Sequence, residues 1–427
     1  MSFSNLEKAF AGARSASKDW YSKVAARPFD TELNDFLTSH TWPTPKLETW
    51  KYTNITKLSK MDYWPAEQVA PKVLPKVWQE FLDNQFLASF VFWNGSFSPE
   101  LSNNTSNQAF SFSQSTDKSK ALSSSSEMEI LNQLLLSGLY FFEVKKNQKL
   151  KAPVVFLFLN SSDVDRPEIR SSRLQISLQE FAEGEILEIH AGLTRISDQV
   201  ASHQLEVSLS KESHLEHSFL NLSAIGTTNF FTKKYELARA SHLKSLHIDL
   251  GGEMSRTESF VNLNESLAEA FVNGVYLNQA KQHTDHQGII QHLAPETISH
   301  QSFKGILTDE SRAVFNSKIR IEKAASKSNA EQLNKNLIMS NKAEANSLPR
   351  LEIFNDDVKA KHGSASGQID PEQLFYLESR AIPHDQAVQL LIEGNAFEML
   401  EGINRCVYEK ISPFVSEKLS SFKREDK

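Results

Sequence analysis

Cysteine is nearly absent from this 427-residue chain, which has Cys406 alone. A single thiol forms no intrachain disulfide and no all-cysteine metal cage, so any soft-metal chemistry must borrow ligands from another chain. Blocks of Lys and Arg are missing as well. With 46 basic against 53 acidic residues the formal charge is −7, which argues against nucleic acid or an anionic lipid surface as the main partner. Long apolar runs are lacking too. The longest strongly apolar stretch, 154–159, is far short of the ~20 residues that span a bilayer. Glu7 and Lys8 stand where an export signal needs an apolar run. The expectation is a soluble, cytoplasmic protein with no membrane partner, in which Asn-x-Ser/Thr triplets such as Asn94-Gly95-Ser96 are accidental. No phosphate-cradling G-x-x-x-x-G-K-[ST] occurs and no G-x-G-x-x-G, which removes an ATPase and the simplest dinucleotide site. Gly363-Ser364-Ala365-Ser366-Gly367 looks like a nucleophile elbow, but Ala365 holds the place of the serine.

The chain does have the means to build a core. Apolar residues make up 40% of it and phenylalanine alone contributes 28, too much for a disordered chain. Its length suits two or three folding units, or one elongated unit with capping pieces. Phe3, Leu6, Phe10, Ala13, Trp20 and Val24 recur at helical spacing, which predicts an amphipathic helix. A second is expected after Thr31, with Leu33, Phe36 and Leu37 inward, ending before Pro43 and Pro45. A short helix over 76–84 and a strand over 88–93 follow, closed by the tight-turn dipeptide Asn94-Gly95. The Ser/Asn/Thr-rich stretch 101–127 reads as a loop or linker, with Phe110 and Phe112 as its apolar anchors.

From about residue 150 to 360 short runs alternate apolar with polar side chains, as in Leu174, Ile176 and Leu178 or Leu205, Val207 and Leu209. That is the pattern of half-buried strands. Apolar triplets begin at Ile248, Val261, Val275, Ile289, Ile306, Ile319, Leu337 and Leu351, in steps of 13 to 18 residues. A strand and turn at that interval over so long a run suits a β-solenoid, and an antiparallel β-sandwich is the rival. After Gly367 the pattern turns helical. Asp370 is placed as an N-cap, Pro371 at the first helical position and Gln373 at the capping-box position, with Leu374 and Leu377 inward. A second helix is expected over 385–393. A third carries Phe397, Leu400, Ile403, Val407, Ile411, Val415 and Leu419, with a kink at Pro413 and Cys406 as a packing residue on its stripe. The expected organisation is an N-terminal helical and mixed region (1–125), a mainly β core (126–365) and a C-terminal helical region (366–427).

Candidate chemistry rests on histidine. His283, His286, His292 and His300 cluster, with Asp285 between the first two, and such a set can ligate zinc or iron. On a strand, however, residues three apart face opposite sides. His362 lies in a polar stretch before Gly363, as a ligand at an exposed edge or a turn residue. Trp50-Lys51-Tyr52-Thr53 is read as aromatic packing of an N-terminal cap.

Several phrases together resemble the SufB/SufD family of iron–sulfur cluster assembly proteins: Pro45-Lys46-Leu47-Glu48-Thr49-Trp50-Lys51-Tyr52-Thr53; Asn94-Gly95-Ser96-Phe97-Ser98; His283-Thr284-Asp285-His286 with His292, Pro295, Ser299, Gln301, Lys304-Gly305-Ile306 and Val314-Phe315-Asn316; and Pro349-Arg350-Leu351-Glu352-Ile353 through Asp356-Asp357-Val358-Lys359, His362-Gly363, Gly367-Gln368 and Leu374-Phe375-Tyr376-Leu377-Glu378-Ser379-Arg380. The Asp-Asp-Val-Lys and His-Gly combination, and the lack of a core cysteine, are similar to the SufD branch rather than SufB. The resemblance implies a right-handed parallel β-helix flanked by an N-terminal α/β and a C-terminal helical domain. It implies a non-catalytic subunit that pairs with SufB through the β-helix and docks a SufC ATPase through Phe375, Tyr376, Leu377 and Arg380. It implies His362 as a metal ligand of a cluster shared with SufB, nothing bound stably by the chain alone, and a flavin associated with the complex for which no motif is present. Homodimerisation of the isolated chain through the face meant for SufB stays open. Two departures stand out: Ala360 where many members carry cysteine, and Ser317 for a usual glycine, which puts the local turn in doubt. The alternatives are a SufB-like scaffold paralogue, a stand-alone His-ligated metalloprotein on a β-solenoid, and a purely structural partner.

Overall fold

A computed structural model describes residues 43, 45–58, 64–82, 84–103, 107–115, 129, 132–133, 136, 138–162, 166–193 and 198–422. The two helices expected within 1–42 lie outside them, as does most of the Ser-rich stretch.

Among the described residues twenty strands follow in chain order. β1 (Trp64–Pro65), β2 (Ala88–Trp93), β3 (Ser96–Phe97), β4 (Phe110–Ser115), β5 (Leu139–Val144) and β6 (Val154–Asn160) open the series. Then come β7 (Glu168–Leu178), β8 (Glu183–Gly192), β9 (Gln199–Leu209), β10 (His214–Leu222), β11 (Thr227–Leu237), β12 (His242–Asp249) and β13 (Met254–Leu263). β14 (Glu269–Asn278), β15 (His283–His292), β16 (Ile298–Leu307), β17 (Arg312–Ile321), β18 (Asn329–Ile338), β19 (Glu344–Ile353) and β20 (Lys359–Gly367) complete it. From β5 onward odd strands stack in one sheet and even strands in the other, each pairing in parallel with the strand two ahead. The chain thus winds through a two-sheeted β-solenoid, and the antiparallel sandwich is excluded. The antiparallel pairs, β2/β3 and β4/β5, sit at the N-terminal end.

Alternation explains why both sheet faces are covered. In β12, Leu243 joins the cluster between the sheets, while Leu246 and Ile248 join a second cluster outside. That outer cluster holds the helices: α1 (Lys76–Phe81), α3 (His384–Phe397) and α4 (Arg405–Ser420). Trp78 of α1 stacks on Phe414 of α4 at 6.3 Å between centroids, so the N- and C-terminal helices share one layer. α2 (Pro371–Ser379) begins as expected, its N-cap Asp370 accepting from the Glu372 N–H at 2.9 Å.

Several expectations need correcting. Phe110–Ser115 is a strand, because Phe110 and Phe112 alternate inward within an otherwise polar stretch. Strands Ala88–Trp93 and Phe110–Ser115 belong to the two main sheets, which therefore begin well before residue 126. The first described helix stops at Phe81 rather than residue 84. The expected third C-terminal helix is divided: Phe397 ends α3, a 3-10 turn covers Glu398–Leu400, and α4 starts at Arg405 with Pro413 inside it. Leu374 and Leu377 are only half-buried. Ser317 is in no turn: it lies in β17 opposite Gly288 and donates to Gln301 Oε1 at 2.8 Å.

Two glycines of the recognised motifs have steric reasons. Gly95 has φ +88°, and a Cβ there would stand 2.2 Å from the Ser171 carbonyl oxygen. A Cβ at Gly305 would stand 2.1 Å from the Tyr276 ring.

Candidate functional site

Three groups of residues carry candidate chemistry, two of them suggested by the sequence, and the fold keeps them apart. The first is an N-terminal latch. Trp50 is buried under the Arg256 guanidinium, 3.7 Å from its ring centroid. Arg256 donates to the Thr49 carbonyl at 2.9 Å, to Asp285 at 2.5 Å and to Glu258 at 2.9 Å. Thr53 Oγ1 donates to Asp285 Oδ2 at 2.5 Å and lies 2.9 Å from His283 Nε2. Burial pulls the His283 imidazole down, with Asp285 opposing. His283 and Asp285 therefore clamp the N-terminal segment to the solenoid, and the aromatic-cap reading of residues 50–53 holds. His286 turns to the interior, 4.6 Å from the His247 ring. This separation removes the His283/Asp285/His286 metal set: its members stand on opposite sides of β15.

The second group is internal. Glu188, fully buried, has His190 Nε2 at 2.6 Å, His203 Nε2 at 3.0 Å and His217 Nε2 at 3.1 Å. Burial pushes this carboxyl up, but the surrounding imidazoles outweigh it and hold it well below the usual carboxylate range. Further along the axis Lys233 Nζ lies 2.8 Å from His247 Nδ1 and 3.2 Å above the Phe219 ring. Burial pulls Lys233 down to about 7 and pushes Asp249 up to about 7.

The third group is the open end of the solenoid. Among the described residues β19 pairs only with β17 and β20 only with β18, so each has one unpaired backbone edge. No residue of either strand is fully buried. His362 lies on β20 rather than in a turn, in register with Gln332. Its row faces the interior in earlier coils, where Gln332 Nε2 donates to Gln301 Oε1 at 2.7 Å. Because no further coil covers it, His362 is exposed. Just past the strand, α2 turns Phe375 and Tyr376 outward at 71% and 57% exposure, with Arg380 5.2 Å from the Tyr376 ring. Leu377 sits half-buried beneath them. His384 of α3 bonds Glu378 and braces α2. One imidazole supplies one ligand. Ala360, two residues earlier on the same face, adds none, and half-buried Cys406 is on α4.

The sequence model described as "SUF system FeS cluster assembly, SufBD core domain" matches residues 158–395. The chain belongs to the SufB/SufD family. Its relatives include the iron–sulfur cluster assembly protein SufD of Escherichia coli (strain K12), 27% identical over 366 residues that make up 84% of this chain and 85% of that protein. A SufBD-family iron–sulfur cluster assembly protein of Synechocystis sp. is 26% identical over 395 residues, 86% of this chain and 85% of its own length. The SufD of Bacillus subtilis (strain 168) is 26% identical over 271 residues, 63% of this chain and 61% of that one. The family match spans the solenoid from β6 through most of α3, so both β20 and α2 lie within it. A role in SUF-system iron–sulfur cluster assembly follows from family membership. Among the described residues no helix is long and apolar enough to cross a membrane.

The interior cluster escaped sequence reasoning. Its signal was present: Glu188 and His190 occupy the inward positions of a strand whose other face carries Leu187 and Ile189.

Proposed function

We propose that the chain is a SufD-type, non-catalytic subunit of an iron–sulfur cluster assembly complex, with right-handed coils as in nearly all parallel crossovers. Its open end at β19 and β20 pairs with the solenoid of a SufB-type partner, and ATP hydrolysis belongs to a SufC-type subunit docked on α2. The observation that carries this reading is the exposed, half-paired last coil with His362 on its inward row. Unpaired strand edges are templates for another chain. A partner coil laid there would cover His362 and bring its own ligands beside the imidazole. A thiolate from that partner with the His362 nitrogen suits iron, the cluster being cargo shared across the seam rather than held by this chain alone. Phe375, Tyr376, Leu377 and Arg380 form the kind of aromatic and arginine surface that anchors interfaces. The SufB-like scaffold reading is disfavoured because the solenoid has no cysteine to hold a nascent cluster. In isolation the same open end is available to a second copy. A flavin in the complex finds no motif here to place it.

Co-expression with SufB and SufC tests the assignment. A stable complex of all three is expected. The double variant Phe375→Ala/Tyr376→Ala should keep SufB and lose SufC. Failure of the wild-type chain to co-purify with SufB would overturn the reading.

A further inference from the structure

Two groups of metal-ligating side chains lie inside the solenoid, and they differ in how many ligand atoms are left without a partner: His203 Nε2 alone in one, an atom of each residue in the other. Around Glu188 the imidazoles already face the carboxylate at hydrogen-bonding distances, so their valences are directed at one another. His247, Asp249 and His286 differ. Each is at least 95% buried, with exposures of 4%, 1% and 5%. His247 Nε2, Asp249 Oδ2 and His286 Nε2 all lack a hydrogen-bond partner.

Buried polar atoms without partners are rare and costly, and here three belong to side chains that meet at one place. One ligand atom from each residue lies within 4.8 Å of the other two. His247 Nε2 and Asp249 Oδ2 are 3.8 Å apart, near the spacing of two ligands on an ion with bonds of roughly 2.1 Å. The remaining atoms of two of these residues are held by neighbours. Asn221 Nδ2 donates to Asp249 Oδ1 at 2.8 Å, and Lys233 Nζ lies 2.8 Å from His247 Nδ1, a contact that leaves Nε2 free to ligate when the neutral amine accepts from the Nδ1–H. Bracing of the non-ligating atoms is what orients ligands in metal sites. Thr257, cross-strand from His286, adds a buried hydroxyl that also lacks a partner.

We propose that His247, Asp249 and His286 form a buried site for one divalent first-row transition cation. Two imidazole nitrogens and one carboxylate oxygen suit Zn²⁺ or Fe²⁺ rather than the all-oxygen preference of Mg²⁺ or Ca²⁺. The site lies several coils from His362 along the stack and requires no partner chain. Being enclosed, it loads during folding, and the ion ties β12 of one sheet to β15 of the other across the interior.

The test uses the full-length chain, refolded anaerobically with and without Co²⁺ and then dialysed. The expected result is about one Co²⁺ per chain, with the visible absorption of nitrogen/oxygen-ligated cobalt and a raised thermal midpoint. Asp249→Asn and His286→Gln should each lower retained Co²⁺ at least tenfold, while His362→Ala and His283→Ala leave it unchanged. If these variants do not fold, X-ray absorption of the Co²⁺-loaded wild type decides, since two histidine ligands are expected. Wild type that retains no Co²⁺, or metal lost through His362→Ala instead, would overturn the proposal and leave the three atoms to be bridged by buried water.

Discussion

At the scale of single residues, the buried Arg256 shows how two distant motifs serve one purpose. The Thr49 carbonyl, the Trp50 ring and Asp285 converge on its guanidinium, and Thr53 bonds Asp285 in turn, with no metal needed to explain their chemistry. Arg256→Ala would leave Asp285 without its ion-pair partner in the interior, and removing one member of a buried pair costs about 3–5 kcal/mol. Urea unfolding should show that loss, and Arg256→Ala/Asp285→Ala should recover part of it. His292 gives a pH prediction. It is buried against Thr297 and Ser299, at 2.8 Å from each hydroxyl, and burial pulls it from 6.5 down to about 4. The unfolded chain therefore takes up the proton first: stability is full above pH 6.5 and falls as the pH drops towards 4, by roughly 3 kcal/mol at most. The acid limb of the melting-temperature profile should flatten in His292→Gln, and an unchanged limb would contradict the assignment. Spacing alone implied that His283 and His286 face apart, as they do. The buried charges were harder to read, because Lys233 and Asp249 look like solvent-facing residues until the register of the sheets assigns them inward.

At the scale of elements, the strands were legible where apolar residues marked their inner face, and the helix start at Asp370-Pro371 was legible from capping chemistry. The coil corners were not. Phe181, Glu212, Ala240, Leu267, Glu296 and Lys327 take positive φ at successive turns from the first sheet to the second, a conformation usually signalled by glycine. With no fixed glycine at the corners, the repeat looks loose in sequence though the coils stack in register. The strand Phe110–Ser115 was hidden by its serines. The terminal strand yields the prediction at this scale: in the isolated chain the amides of Lys359–Gly367 should exchange faster than those of Asn329–Ile338, and pairing with SufB should slow them. Equal rates with and without the partner would place the interface elsewhere.

At the scale of the whole molecule, the interior changes character along the solenoid axis. The N-terminal end is filled by Phe90, Phe92, Phe142 and Phe156, all fully buried, with Phe90 and Phe156 stacked at 5.1 Å. The C-terminal end is lined by Gln301, Gln332, Asn334 and Asn336, which bond to one another and to Ser317, Tyr276 and Ser366. One end is thus filled by its own aromatic core, while the other is polar and topped by His362, beside the exposed face of α2. That asymmetry is what the proposed subunit role uses: an apolar end for stability, a polar, exposed end for a partner. The most direct measurement is anaerobic iron and sulfide analysis of the complex co-expressed with SufB and SufC, comparing wild type with His362→Ala after both are found to assemble equally. Equal assembly with collapsed cluster content is the expected result. Unchanged iron and sulfide in the variant would contradict a ligand role for His362 and reduce the open end to a structural joint.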